Sequence, residues 1–105
     1  MAARVSKESF ENEVLKCDIP VVVEFYLVSR ITCKQLSPIL GGIEDDYEDR
    51  VKVVKVNVNY DYELTSEYQV MASPTIIIFK DGKEVQRVRG FVKRPELEEL
   101  VNQIL

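Results

Sequence analysis

Cys33 follows Arg30 by three residues in the run Ser29-Arg30-Ile31-Thr32-Cys33-Lys34. A cysteine near a helix N-terminus can be activated as a thiolate nucleophile. Two cysteines at this spacing would give a dithiol able to reduce disulfides; here arginine holds the first position. The run lies between the apolar segment Val21-Val22-Val23-Glu24-Phe25-Tyr26 and a helical pattern that starts near Cys33. A strand that feeds a helix puts a loop and a helix N-terminus at one sheet edge, where open α/β proteins place their chemistry. Glu24 is the one charge inside the apolar segment, and Lys55 is a charge in the middle of the later run Val51 to Val58.

The elements that must hold these residues follow from periodicity. Ser6 caps a first helix that runs through Phe10 and Val14 towards Cys17, with the three on one face. Cys17 is expected to act as a small apolar filler. Asp18-Ile19-Pro20 ends that helix. Val21–Tyr26 has the continuous apolarity of a strand buried on both faces. The second helix carries Cys33, Leu36, Leu40, Ile43 and Tyr47, with Pro38 expected to kink it and Gly41-Gly42 to weaken it. A strand over Val51 to Val58 comes next, then a short helix over Tyr62 to Tyr68. Met71-Ala72-Ser73-Pro74 forms a turn before the strand Thr75-Ile76-Ile77-Ile78-Phe79. Asp81-Gly82 predicts a hairpin into Lys83–Arg89, and Gly90 ends that strand. Pro95 opens a last helix with Leu97, Leu100, Val101 and Ile104 on one face. The fold class is α/β: a mixed sheet of parallel strands plus a C-terminal antiparallel hairpin, with helices on both faces.

Composition limits the function. The 105 residues make one domain, 1–105, with 46% hydrophobic and 30% charged residues and a net charge of −4. The acidic balance argues against nucleic acid as a partner. The apolar runs are strand-sized, which argues against a membrane span. The N-terminal residues carry no apolar signal-peptide core, so the cytoplasm is the expected compartment. Cys17 and Cys33 flank a six-residue strand spanning roughly 20 Å. A disulfide needs Cα atoms within about 7 Å, so no bridge between them is expected. With no histidine and two separated cysteines, no metal site is expected, and no cofactor.

The chain resembles the thioredoxin family over essentially its whole length. Val23-Glu24-Phe25-Tyr26 is similar to the strand that leads into the family's active site. Cys33-Lys34-Gln35-Leu36-Ser37-Pro38-Ile39-Leu40 is similar to the second half of that site and its helix. Val54-Lys55-Val56-Asn57-Val58, Ser73-Pro74-Thr75, Phe79-Lys80-Asp81-Gly82-Lys83 and Gly90-Phe91 follow in the family's order. The resemblance implies a thioredoxin fold and a cis peptide bond before Pro74. It also implies that Ser29–Lys34 replaces Trp-Cys-Gly-Pro-Cys-Lys, a degenerate active site. The attacking cysteine is then Arg30, and Cys33 stands at the resolving position. Glu24 takes the place of the family's buried acid, usually aspartate, which helps move the proton of the resolving thiol; Lys55 takes that of its neighbour. Glu24 is read either in that role or as a residual carboxylate satisfied by Lys55, and in both cases burial should raise its pKa.

Arg30 has two readings. Its side chain leans into solvent or stacks on Tyr26 or Phe91. Alternatively it joins free backbone N–H groups and the Ser29 and Thr32 hydroxyls in an anion site, with Arg87, Arg89, Lys93 and Arg94 as a basic rim. Two functions are therefore expected in competition. The first is a redox-silent module, acting as a monomer, that binds a protein or peptide in a groove formed by Arg30, Ile31, Ser73, Pro74, Gly90 and Phe91. The second is a thiol-disulfide oxidoreductase of cell redox homeostasis, working through Cys33 with Glu24 and Lys55 and released by an external thiol.

Overall fold

In the computed structural model, which describes residues 2–105, the central sheet is set by β2 (Val21–Tyr26), every residue of which up to Phe25 is buried. β3 (Lys52–Asn57) pairs with it in parallel, and β4 (Thr75–Lys80) pairs on its other side antiparallel. β5 (Lys83–Arg89) closes the hairpin on β4, and a two-residue strand β1 (Ala3–Arg4) adds to β3. The order across the sheet is β1-β3-β2-β4-β5. This is the thioredoxin-type mixed sheet that the sequence predicts. β1 went unpredicted, because two exposed residues carry no alternation to read.

Alternation along β2 divides the core in two. Val21, Val23 and Phe25 face one cluster with Phe10, Val14, Leu64, Ile77 and Phe79. This side is covered by α1 (Lys7–Phe10), its π-helical continuation Glu11–Leu15, and α3 (Tyr62–Glu67). Val22 faces the other cluster, with Leu36, Leu40 and Ile43 of α2 (Ile31–Asp46) and Leu97 and Val101 of α4 (Arg94–Ile104). The first helix stops at Leu15, two residues short of the expected Cys17, because its last turn widens from Glu11 onwards. Cys17 still packs against the first cluster as an apolar filler. α2 starts at Ile31, two residues earlier than its apolar pattern, and Pro38 lies inside it without ending it. Asp81 and Gly82 both take positive φ, 53° and 78°, as a two-residue hairpin turn requires. No helix among the described residues is long and apolar enough to cross a membrane.

Phe79 anchors the first cluster. Its ring meets Phe10 edge-on at 5.5 Å and Tyr68 at 5.4 Å. Phe79→Ala should lower the unfolding free energy by about 3–5 kcal/mol, read as a shifted urea midpoint at unchanged slope.

Candidate functional site

Because β4 runs antiparallel to β2, its first residues lie where β2 ends: Phe25 is paired with Thr75 and Tyr26 with Asn57. One sheet edge therefore gathers the loop into α2, the Ser73–Pro74 turn and, through Arg89 opposite Thr75, the Gly90 loop. The Ser73–Pro74 peptide is cis. The Gly90 N–H donates to the Pro74 carbonyl at 2.7 Å, fixing these two segments together.

Arg30 is the N-cap of α2, in extended backbone, and no side chain caps the helix there. Its N–H donates to the Leu27 carbonyl and its carbonyl accepts from Lys34 N–H. Cys33 lies one turn into the helix and is 5% exposed. Burial pushes its thiol up from the usual value. A hydrogen bond with the Leu27 backbone opposes this, Glu24 adds to it, and Arg30 opposes it weakly. Both cysteines are free thiols. Cys17 packs under α1 and α3 while Cys33 belongs to α2 across the sheet, so neither can resolve a disulfide formed by the other.

Glu24, Lys55 and Cys33 come together in a pocket of about 340 Å³ under the N-terminal half of α2. Glu24 and Lys55 are register partners on adjacent parallel strands. Glu24 is 5% exposed, and among the described residues its Oε2 has no hydrogen-bond partner. Burial raises its pKa to about 7, with Lys55 pulling the other way. The expectation that Lys55 satisfies this carboxylate needs correction: the Lys55 ammonium sits over the Tyr26 ring, 5.2 Å from its centre. Among the described residues no ion pair within 4 Å joins this ammonium to Glu24, on which it acts through space. Tyr26 is therefore occupied by Lys55, not by Arg30.

The residues read for peptide binding lie outside that pocket. None of Arg30, Ile31, Ser73, Pro74, Gly90 and Phe91 lines it. Ile31 is 69% exposed and Phe91 41%, with Met71, at 89%, a further exposed apolar side chain on the turn before Ser73. The sequence places Met71 in a turn, and nothing in it signals this exposure. The basic rim is reduced. Arg87 is held by Glu84 and by the Tyr68 carbonyl. Arg94 is held by Asp46 and Glu98. Among the described residues no cluster of three histidine, cysteine or acidic side chains forms a metal-holding group.

Comparison with known proteins decides the family. A family model described as thioredoxin matches residues 1–103. The chain belongs to the thioredoxin family. Relatives include a thioredoxin of Rickettsia bellii, 38% identical over 97% of this chain and 97% of that protein. A thioredoxin of Porphyra purpurea is 35% identical over 98% and 96%, and thioredoxin 1 of a Nostoc species is 36% identical over 99% and 97%. Within this thioredoxin-family fold, Arg30-Ile31-Thr32-Cys33 occupies the turn that opens α2, above the pocket that holds Glu24.

The raised pKa of Glu24 has a consequence for stability. The native state keeps a proton that the unfolded chain gives up near the ordinary value of 4.5. Its contribution is fully present below about pH 4.5 and is lost as pH rises through about 7. Glu24→Gln removes that dependence. The variant should gain on the parent between pH 4.5 and 8 by up to ~3 kcal/mol in chemical denaturation.

Proposed function

We propose that this thioredoxin-family chain holds an extended protein segment in the groove beside Pro74 and exchanges no electrons with it. The observation that carries this is Arg30 at the N-cap of α2, followed one turn later by a buried thiol. Arginine cannot attack sulfur. A neutral thiol shielded from solvent is a poor nucleophile, and burial holds Cys33 in that form. The groove has what a bound strand needs. Among the described residues no hydrogen bond uses the Ser73 N–H or C=O, leaving both for an incoming backbone. Ile31, Met71 and Phe91 offer exposed apolar contacts for its side chains. The module works as a monomer in the cytoplasm.

A second reading is favoured by the pocket that keeps Cys33, Glu24 and Lys55 together. There Cys33 attacks a disulfide as a single thiol, forms a mixed disulfide and expels the other sulfur as a thiolate. A low-molecular-weight thiol then displaces Cys33 and takes over its bond.

Insulin reduction driven by dithiothreitol tests the first reading. The parent should give no turnover above the reductant alone. A variant combining Arg30→Cys, Ile31→Gly and Thr32→Pro should give measurable turnover. Catalysis by the parent would reject the proposal. Alkylation separates the readings further. At pH 7, iodoacetamide should modify Cys33 more slowly than a free thiol, by about tenfold or more. Modification faster than that of free cysteine would favour the single-thiol enzyme.

A further inference from the structure

The pocket under α2 takes its strand residues from β2 and β3, across β2 from Pro74, and the groove reading does not use its space. Its floor is Glu24 and Leu40; its mouth carries Lys34, Ser37, Gly41 and Lys55. Lys34, Ser37 and Gly41 follow at spacings of three and four, so they form one stripe of α2 along the opening. The volume of about 340 Å³ lies in the range of small-molecule sites. Three observations narrow what it takes. Glu24 is the one carboxyl among the lining residues, it is more than nine-tenths buried, and its Oε2 is unpartnered. Lys34 and Lys55 are both cationic, and among the described residues neither has a carboxylate at ion-pair distance. The rest of the wall, including Leu27, Val28 and Leu40, is apolar.

We propose that this pocket binds a small organic anion, an aromatic or branched aliphatic carboxylate of about a dozen non-hydrogen atoms. The apolar body fills the space between β2 and α2. The carboxylate lies between the Lys34 and Lys55 ammonium groups, and Glu24, when protonated, donates the hydrogen bond that its Oε2 lacks. The chain as a whole is acidic, at −4, so a local excess of positive charge in a low-dielectric cleft is what would focus an anion there. Gly41 lines the mouth, and a Cβ added there meets nothing within 4 Å, so a larger side chain has room to enter the opening. This proposal is independent of whether Cys33 reacts.

The test is an amide-shift NMR titration of the full chain with 2-naphthoate, 2-naphthamide and 2-naphthylmethylammonium, which share one apolar body. Naphthoate should saturate with shifts at Leu27, Val28, Gly41 and Lys55, and should bind about tenfold more tightly than the amide or the ammonium probe. Gly41→Leu should remove that binding. Lys34→Gln, at an exposed position, should weaken naphthoate about threefold and leave naphthamide unchanged. Equal affinity for all three probes would overturn the assignment of an anion. Shifts confined to Ser73, Thr75, Gly90 and Phe91, naphthoate binding unchanged in Gly41→Leu, or no saturable shift up to ~10 mM probe would overturn the site itself.

Discussion

The burial of β2 on both faces is the constraint from which the site follows. A strand alternates its side chains between two faces. When each face is covered by helices, no position on the strand before Tyr26 reaches water freely. Val22 and Glu24 share one face and Val21, Val23 and Phe25 the other. Glu24 is thus placed beneath α2 by parity alone, whatever its charge requires. Its proton affinity, the unpartnered Oε2 and the open space around it are consequences of that placement. Lys55 arrives opposite it by the same register, yet its ammonium lies over the Tyr26 ring. A residue pairing along the backbone does not guarantee a pairing of charges.

Much of the fold was legible because its signals are local and strong. Val21–Tyr26 and Thr75–Lys80 are continuous apolar runs, Asp81-Gly82 names its own turn, and α4 has an N-terminal proline and a clean apolar face. The misses fall where the signal is weak or non-local. β1 is two residues long and exposed, so its place is set by pairing with β3. The early end of the first helix reflects a widened turn that leaves the apolar spacing nearly intact. At the site, the sequence named Glu24, Lys55 and Cys33 as companions, and they do share a pocket. It also merged Arg87 and Arg94 into a rim around Arg30. Their carboxylate partners lie on the β5 hairpin, at the end of α2 and within α4, and only the folded chain reveals them.

The loop that opens α2 rests on a base fixed by the sheet and by backbone hydrogen bonds. α2 begins where it must for the first turn to overhang the sheet edge, and the Pro74 and Gly90 segments are hydrogen-bonded to each other beside it. The loop carries the Arg30 guanidinium at the helix start, a position where the dipole opposes positive charge by a few tenths of a kcal/mol to about 1 kcal/mol. That cost is tolerable because the helix is held by Leu36, Leu40 and Ile43 in the core and not by its cap.

The outer hairpin strand has a separate significance. β5 is one border of the sheet, and among the described residues no strand neighbours its outer rim of backbone groups. Such a border invites another polypeptide to pair and seed a growing sheet. Lys83, Glu84, Arg87 and Arg89 line this one, with Arg87 clasped by Glu84 and by the backbone ahead of β4. An approaching strand would have to strip water from these charges and break that clasp. The long border of the sheet is thus resistant to sheet-to-sheet aggregation.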